Sequence, residues 1–217
     1  MKTIDDSLYW DQYYQSGACV TEPSLFAQYV AKQVNQGETL VDLGCGNGRD
    51  AIYFAERGLD VTAIDLSHKA IAELQSKKLP NVCFQQGDVA SPLFHQPGKY
   101  HNAYSRFSLH AMTEDHVRRL FQSLFQSLQP GGHFFIEVRS VHDPLFGLGE
   151  KLGRNAWRYD SHYRRFVVLE ELVEELFKCN FHVIYAEENI DFAPFGQDNP
   201  PVIRVTAIKS LVSPINE

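Results

Sequence analysis

Residues 39–67, TLVDLGCGNGRDAIYFAERGLDVTAIDLS, constrain the fold of this chain more than any other stretch. An apolar run leads into a glycine-rich turn, a helical pattern that Gly58 ends comes next, and a second apolar run follows. This order predicts a β-α-β unit with two parallel strands and a right-handed crossover. Ligands bind at the carboxyl ends of the strands in such sheets, so we expect a site beside the glycine turn.

The alternation of strands and helices continues to the C-terminal part. Further strands are predicted in NVCFQQGD, HNAYSR, GHFFIEVR, HVIYAEE and PVIRVTAIK. An amphipathic helix precedes the fifth strand, with apolar residues spaced by three and four at Val117, Leu120, Phe121, Leu124, Phe125 and Leu128. The pattern predicts an α/β fold, a Rossmann-like doubly wound sheet, that forms one domain over residues 1–217.

Two more helices and one connection are predicted. We expect a helix within residues 21–36 with Thr21 as its N-cap, and Gly37 ends it. LEELVEELFKC predicts a helix that buries five apolar residues: Leu169, Leu172, Val173, Leu176 and Phe177. The stretch from Ser140 to Val168 shows no clear period and is predicted to be irregular.

Charge and composition disfavour several classes of protein. The formal net charge of −7 argues against a dedicated nucleic-acid binder, because such binding needs a basic face. No run approaches the ~18 to 20 apolar residues of a membrane span, and MKTIDDSLYW lacks the apolar core of a secretory signal. We therefore expect a cytoplasmic protein without membrane association, a monomer or homodimer. The four cysteines, Cys19, Cys45, Cys83 and Cys179, form no metal-binding or disulfide pattern.

The spacing of the glycine turn departs from that of a dinucleotide site. Gly44, Gly46 and Gly48 follow one another at every second position, and Arg49 stands where a third dinucleotide-motif glycine would fall. Asp42 lies two residues before the first glycine, near the mouth of the strand. A carboxylate there suits a cationic group better than a pyrophosphate.

Two further acids end the next two strands. Asp65 lies about 20 residues beyond the first glycine, where a carboxylate can accept both hydroxyls of a ribose. Asp88 ends the third strand, where an adenine amino group could be recognised. S-adenosylmethionine has a ribose, an adenine and a cationic amino-acid tail without phosphates, and it therefore meets all three demands.

Five motifs in order, VDLGCGNGRD, VTAIDLS, CFQQGDVA, YHNAYSRFSLHAM and LQPGGHFFIEVRS, resemble those of class I S-adenosylmethionine-dependent methyltransferases. The resemblance is close over roughly residues 38–140, and the chain also looks like bacterial members that modify small molecules or cell-surface polysaccharide. It implies a seven-stranded sheet whose last strand runs antiparallel between two neighbours. One departure is the start of the fourth strand, where many relatives have an acid and this chain has His101 and Asn102.

The resemblance also implies which residues bind the cofactor. The glycine turn passes against the methionine portion, Asp42 neighbours its ammonium group, and the end of the fourth strand lies beside the sulfonium. The implied set is Asp42, Gly44, Cys45, Gly46, Asn47, Gly48, Arg49, Asp65, Leu66, Asp88, Val89, Ser105, Arg106 and Phe107.

Two segments outside the shared sheet are candidates for acceptor recognition. Residues 1–36 are predicted to form a helical lid in which Trp10 and Tyr14 contact the acceptor, and a helix simply packed on the sheet is the alternative. Residues 139–168 form a substrate-side insertion rich in arginine and aromatic residues, with Arg139, Tyr163, Arg164 and Arg165 as substrate-binding candidates. Arginine forks match carboxylates and phosphates, which favours a small anionic acceptor; salt bridges to nearby glutamates are the competing explanation.

In-line methyl transfer depends mainly on holding the acceptor atom behind the methyl carbon. A hydroxyl acceptor needs a base, for which His110 is the first candidate and His142 and His162 are the next. An acceptor that is already an anion needs none of them. We favour O-methylation, expect no catalytic metal, and keep two alternatives: a module that binds S-adenosylmethionine without catalysis, and an NAD-dependent oxidoreductase.

Overall fold

The computed structural model describes residues 7–15, 20–91, 96–196 and 198–210. Cys19 and part of the predicted lid, residues 1–6 and 16–19, lie outside these ranges.

Seven strands form the central sheet, and three more form a small separate sheet. The strands are β1 (Thr39–Leu43), β2 (Asp60–Asp65), β3 (Val82–Gln86), β4 (Tyr100–Arg106), β5 (Leu128–Arg139), β6 (Glu150–Gly153), β7 (Ala156–Tyr159), β8 (His162–Arg165), β9 (Phe181–Asn189) and β10 (Val202–Lys209). The central order is β3-β2-β1-β4-β5-β10-β9. β10 runs antiparallel to both of its neighbours, whereas β1 to β5 are mutually parallel. The predicted seven-stranded sheet with an antiparallel last strand is confirmed.

Helices cover both faces of the central sheet. They are α1 (Ser7–Gln15), α2 (Leu25–Val30), α3 (Arg49–Glu56), α4 (His68–Ser76), α5 (Glu114–Ser127) and α6 (Leu169–Lys178). Successive residues of a strand point to opposite faces, so Leu40 belongs to one buried cluster and Val41 to the other. Both clusters are buried, which leaves the strand ends as the place where polar side chains gather.

Three details of the predicted helices are wrong. The helix predicted to end at Gly37 ends at Val30. The helix after residue 20 begins at Leu25, and its N-cap is Ser24, whose hydroxyl accepts a hydrogen bond from the amide of Ala27 at 2.9 Å. Pro23 disfavours a helical conformation in the residue before it, so Thr21 cannot begin this helix. On α6, Phe177 is 74% exposed, because it lies about 100° around the helix from the buried Leu176.

The stretch from Ser140 to Val168, predicted to be irregular, contains the three-stranded antiparallel sheet β6-β7-β8. The turn between β7 and β8 is made by Asp160 and Ser161, both with positive φ (53° and 59°), as a two-residue hairpin turn requires. The ring of Phe146 packs against Trp157 at 4.4 Å and against Phe166 at 5.6 Å between centroids. This local aromatic core stabilises the insertion.

Candidate functional site

A cavity of about 720 Å³ lies at the carboxyl ends of the parallel strands, within the range of ~300 to 1,000 Å³ usual for small-ligand sites. Most sequence-predicted site residues line it: Asp42, Gly44, Cys45, Gly46, Asn47, Arg49, Asp65, Leu66, Asp88, Val89, Arg106, Phe107, His110, His162, Trp10, Tyr14, Arg139 and Arg164. Five do not line it: Gly48, Ser105, His142, Tyr163 and Arg165. The turns after β1, β2, β3 and β4 therefore meet around one space, together with α1 and the insertion.

The glycine turn needs its glycines for two separate reasons. Gly44, Gly46 and Gly48 all have positive φ (86°, 56° and 77°), a conformation that strains any residue with a Cβ. A Cβ on Gly48 would also lie 2.7 Å from the side chain of Leu74. Gly48 thus allows α3 to pack closely on its neighbours, whereas Gly44 and Gly46 face the cavity.

Asp65 connects the glycine turn to the end of β2 by hydrogen bonds. Its Oδ2 accepts a hydrogen bond from the amide of Gly46 at 2.8 Å, and its Oδ1 accepts one from the amide of Ser67 at 2.9 Å. Burial raises the pKa of Asp65, although these amide hydrogen bonds act in the opposite direction. Each carboxylate oxygen can accept another hydrogen bond, so the pair of oxygens remains available to the two hydroxyls of a ribose.

Asp42 is a buried carboxylate that faces the cavity. It is 2% exposed, and no described residue donates a hydrogen bond to it. Burial, followed by the nearby charges of Asp50 and Asp65, raises the pKa of Asp42 well above its ordinary value. An unpaired buried acid is costly unless a cation joins it, and the amino-acid end of S-adenosylmethionine supplies such a cation.

Asp50 was not predicted as a site residue. Its carboxylate accepts hydrogen bonds from the amide and hydroxyl of Ser24, both at 2.8 Å, and from the hydroxyl of Tyr104 at 2.8 Å. All three residues line the cavity. An acid in the first turn of a helix is ordinarily explained by the helix dipole, so no sequence pattern indicates this contact.

His116 was missed as well. Its Nε2 lies 2.8 Å from Oδ1 of Asp88, and the same oxygen accepts a hydrogen bond from the amide of Ala90 at 2.9 Å. The hydrogen bonds from His116 and Ala90 lower the pKa of Asp88, although partial burial acts in the opposite direction. His116 lines the cavity beside the acid predicted to recognise adenine.

Cationic side chains gather at the side of the cavity near the insertion. On β8 the side chains alternate, so His162 and Arg164 line the cavity, whereas Tyr163 and Arg165 do not. Arg165 instead donates its Nε hydrogen to the carbonyl of Met112 at 3.1 Å. Arg139 lines the cavity and pairs with Asp143.

The three histidine candidates have different surroundings. His110 is 6% exposed and lines the cavity, and among the described residues its Nδ1 has no hydrogen-bond partner. Burial, followed by the charges of His162 and Arg139, holds the pKa of His110 well below its ordinary value, so its imidazole is neutral at pH 7. The side chain of His142 is 71% exposed outside the cavity and lies 2.7 Å from Glu188.

The helix α1 contacts both sides of the cavity. Asp11 accepts a hydrogen bond from the hydroxyl of Ser67 at 2.6 Å, beside the acid of β2. The ring of Tyr9 stacks on His162 with centroids 4.4 Å apart. A Cβ on Gly46 would lie 2.4 Å from the hydroxyl oxygen of Tyr14, so the helix also packs against the glycine turn.

No three or more His, Cys, Asp or Glu side chains in the described ranges are grouped so that they could hold a metal ion. Nor is any helix in the described part of the chain both long and apolar enough to cross a membrane.

The chain matches the family described as methyltransferase domain over residues 40–132. It is also similar to the structure of a 1,6-didemethyltoxoflavin-N1-methyltransferase from Burkholderia thailandensis with bound 1,6-didemethyltoxoflavin and S-adenosylhomocysteine, with a TM-score of 0.74 and 22% identity. That match covers 94% of this chain and 87% of the other. The predicted resemblance to class I methyltransferases and their fold is confirmed.

The chain is also similar to two curated proteins. Over 135 residues the chain is 31% identical to trans-aconitate 2-methyltransferase of Deinococcus radiodurans, covering 61% of this chain and 50% of that protein. It is 29% identical over 136 residues to malonyl-[acyl-carrier protein] O-methyltransferase of Enterobacter lignolyticus, covering 61% and 50%. The chain thus spans about half the length of these two curated relatives.

Proposed function

We propose that the protein is an enzyme that transfers a methyl group from S-adenosylmethionine to a carboxylate oxygen of a small anionic acceptor. The observation that carries this proposal is the division of charge in the cavity. Three buried acids, Asp42, Asp50 and Asp65, outnumber the two arginines, Arg49 and Arg106, beside the glycine turn, whereas Arg139 and Arg164 lie towards the insertion. A cationic donor and an anionic acceptor suit these two sides.

The residues around the glycine turn fit the donor. Asp42 offers a buried carboxylate to a cation, and Asp65 offers two oxygens to a ribose. When bound, S-adenosylmethionine supplies a methyl group whose bond to sulfur breaks as an acceptor lone pair attacks the carbon, and the sulfur keeps the electron pair. The chain contributes by orienting the two partners and by excluding water, for which α1 is placed over the glycine turn.

A carboxylate acceptor agrees with the state of His110. A hydroxyl acceptor would need a base, whereas a carboxylate is already ionised at neutral pH. His110 is buried and its pKa is depressed, so it is a weak proton acceptor. We therefore assign His110 to shaping the acceptor side of the cavity, with His162 beside it at 6.0 Å between ring centroids.

Two of the relatives support an anionic acceptor by their names, and others are named as N-methyltransferases. Trans-aconitate and malonyl groups both carry carboxylates, and the relatives named for them are methyltransferases. The Burkholderia thailandensis enzyme is named for a ring nitrogen, so nitrogen acceptors belong in any test. The arginines at the cavity favour the anion.

The test is an acceptor screen with methyl-labelled S-adenosylmethionine and purified protein. The acceptors are small di- and tricarboxylates, each paired with its amide, together with a set of heterocyclic amines. We expect label in the carboxylates and none in the amides. Label in the amines alone would contradict the carboxylate proposal, and tight cofactor binding with no turnover of any acceptor would favour a binding module.

A further inference from the structure

The loop between β9 and β10 carries apolar side chains at the opening of the cavity. Four of them line the cavity together with Leu25, the first residue of α2. These five residues form the apolar mouth of the cavity: Leu25, Phe192, Pro194, Phe195 and Pro200. Phe195 is 65% exposed and Leu25 is 49% exposed, so both lie where the cavity meets solvent.

Arg204 holds one end of this loop against α2. Its Cζ lies 4.2 Å from the ring centroid of Phe192 and 5.2 Å from that of Phe26. Its Nη2 also donates a hydrogen bond to the carbonyl of Phe192 at 2.8 Å. Phe26 follows Leu25 on α2 and is buried, because successive residues of a helix lie about 100° apart. The loop and α2 therefore meet at Arg204, and Leu25 is left to face the cavity.

The other end of the loop meets the acceptor side of the cavity. The amide of Ser140 donates a hydrogen bond to the carbonyl of Pro201 at 3.3 Å. Val202 is aligned with Arg139 in the register of β5 and β10. Arg139 lines the cavity; its Nη1 donates to Asp143, and its Nε and Nη2 donate to no described residue. The apolar mouth is thus joined to the strand end that carries a guanidinium with an open edge.

The ring of Phe195 contributes little to the fold. The amide of Phe195 donates to the carbonyl of Asp198 at 2.7 Å and the amide of Asp198 donates back at 2.8 Å, so the backbone alone closes this turn. Single exposed apolar residues are common, but a group of them at one opening is typical of a ligand-binding groove. Phe177 on α6 is such a single residue, since it is 74% exposed and lies outside the cavity.

The charges beside the apolar mouth disfavour a second anion there. Glu22 and Asp198 line the cavity next to members of the mouth in the sequence. Arg49 donates to the carbonyl of Glu22 at 3.2 Å and also pairs with Asp50 at 3.9 Å. Acids therefore outnumber cations among the cavity-lining residues of this rim. Since like charges brought together are costly, an uncharged group fits the mouth better than a carboxylate.

We propose that the apolar mouth binds an uncharged, apolar tail of the acceptor, whose carboxylate lies inside the cavity at Arg139. The acceptor class is thus a carboxylic acid with an alkyl or aryl chain at the end remote from the methylated carboxylate. This assignment rests on the proposed function, because it takes a carboxylate at the arginines as the methylated group. It adds the part of the acceptor that the loop between β9 and β10 selects.

The test is a binding series in which only the tail changes. Wild-type protein saturated with S-adenosylhomocysteine is titrated in a calorimeter with butanoate, hexanoate and octanoate. Octanedioate, in which a carboxylate replaces the terminal methyl group of octanoate, completes the series. We expect the affinity to rise with each added methylene, by at most about fourfold, the worth of a fully buried methylene. Octanedioate should bind more weakly than octanoate, because its second carboxylate meets the acids of the rim.

Two variants of the mouth locate the tail. Phe195→Ser removes an exposed ring at the mouth, and Phe177→Ser removes a similarly exposed ring on α6 as the matched control. In Phe195→Ser the gain from butanoate to octanoate should shrink, whereas in Phe177→Ser the whole series should bind as it does to the wild type. Leu25→Ser should act in the same direction as Phe195→Ser and gives a second variant, on the opposite side of the mouth.

A variant of the arginine separates the carboxylate from the tail. Arg139→Gln should weaken hexanoate and octanoate by the same factor, roughly 10- to 100-fold, the scale of hydrogen bonds to a charged partner. The gain per methylene should stay as in the wild type, because the apolar mouth is intact in this variant. A loss of that gain in Arg139→Gln would contradict separate binding of the two ends.

Other outcomes would overturn the inference alone. These are a wild-type affinity that does not change from butanoate to octanoate, octanedioate that binds more tightly than octanoate, and an unchanged gain per methylene in both mouth variants. If S-adenosylhomocysteine binds but no member of the series does, the inference fails, and the label screen still decides the proposed function. If S-adenosylhomocysteine does not bind to the wild type, the proposed function itself fails.

Discussion

His116 and Asp88 form a hydrogen bond of 2.8 Å between Nε2 and Oδ1, and this contact joins α5 to the end of β3. The amide of Ala90 donates to the same oxygen, so Oδ1 is fully engaged. Among the described residues, none donates to Oδ2, and Asp88 lines the cavity. His116 therefore fixes the carboxylate with one oxygen free for a ligand.

This contact predicts that His116 tunes recognition of the adenine base. His116→Ala should weaken S-adenosylhomocysteine modestly and should reduce its preference over S-inosylhomocysteine, which has a carbonyl in place of the adenine amino group. His116→Gln keeps a hydrogen-bond donor and should restore part of that preference. The ratio of the calorimetric Kd values of the two nucleosides measures this preference. An unchanged preference in His116→Ala would show that Asp88 is positioned without His116.

Asp65 should account for much of the affinity for the ribose. Asp65→Ala is expected to weaken S-adenosylhomocysteine by about 1.5 to 3 kcal/mol, the usual worth of hydrogen bonds that involve a charged group. Asp60 begins the same strand and is exposed, so Asp60→Ala is the matched control and should leave the Kd unchanged. If folded Asp65→Ala binds S-adenosylhomocysteine as tightly as the wild type does, Asp65 does not bind the ribose.

Asp42 should show a conflict between stability and binding. Burial raises the pKa of Asp42 in the folded chain, so the folded state binds the proton more tightly than the unfolded state. The stability that this proton gives is present at low pH and is lost as the pH rises through the raised pKa. Above the ordinary pKa of an aspartate, the negative charge that Asp42 tends to acquire therefore lowers the stability of the ligand-free fold relative to low pH.

Asp42→Asn removes that charge at every pH. We expect the Tm of the ligand-free variant to exceed that of the wild type at pH 8, by about 2 to 4 °C for each kcal/mol gained, and the difference to shrink near about pH 4. The rise in Tm caused by S-adenosylhomocysteine should be lost in the variant. Thermal melts at both pH values measure this, and a variant that is less stable at pH 8 would contradict it.

The succession of strands and helices, the glycine turn and the acids at the strand ends were predictable, because each depends on local sequence pattern, whereas the antiparallel last strand was implied only by the resemblance to a known family. The small sheet in the insertion was not predictable. It depends on a two-residue turn at Asp160 and Ser161, and its short strands show no strong alternation of polar and apolar residues. Glu137 and Arg204 lie 67 positions apart and meet only because β5 and β10 pair. Contacts of that kind cannot be inferred from spacing along the chain.

The same limit applies to the acceptor side. The arginine-rich insertion predicted an anion site, but Arg165 faces away from the cavity and Arg164 faces into it, and only the register of β8 decides which. His116 and Asp50 were missed because each sits in the first turn of a helix, where a polar residue is ordinary. Their role follows from neighbours that lie far away in sequence.

The alternation of side chains on β8 places Arg164 at the cavity, so we predict that Arg164 binds the acceptor. Arg164→Gln should raise the KM for a carboxylate acceptor about 10-fold or more, since a charged hydrogen bond is lost, and should leave the Kd of S-adenosylhomocysteine within about twofold. Arg158 on β7 pairs with Glu150 and lies outside the cavity, so Arg158→Gln is the matched control. Steady-state kinetics test this, and an equal loss of acceptor and nucleoside binding would point to a folding role.

Calorimetric titration of the wild-type protein with S-adenosylhomocysteine, with NAD as the comparison, tests most directly whether the cavity binds S-adenosylmethionine. The charge division and the glycine turn predict saturable binding of S-adenosylhomocysteine with one molecule per chain and no binding of NAD. Binding of NAD with no binding of S-adenosylhomocysteine would contradict the account.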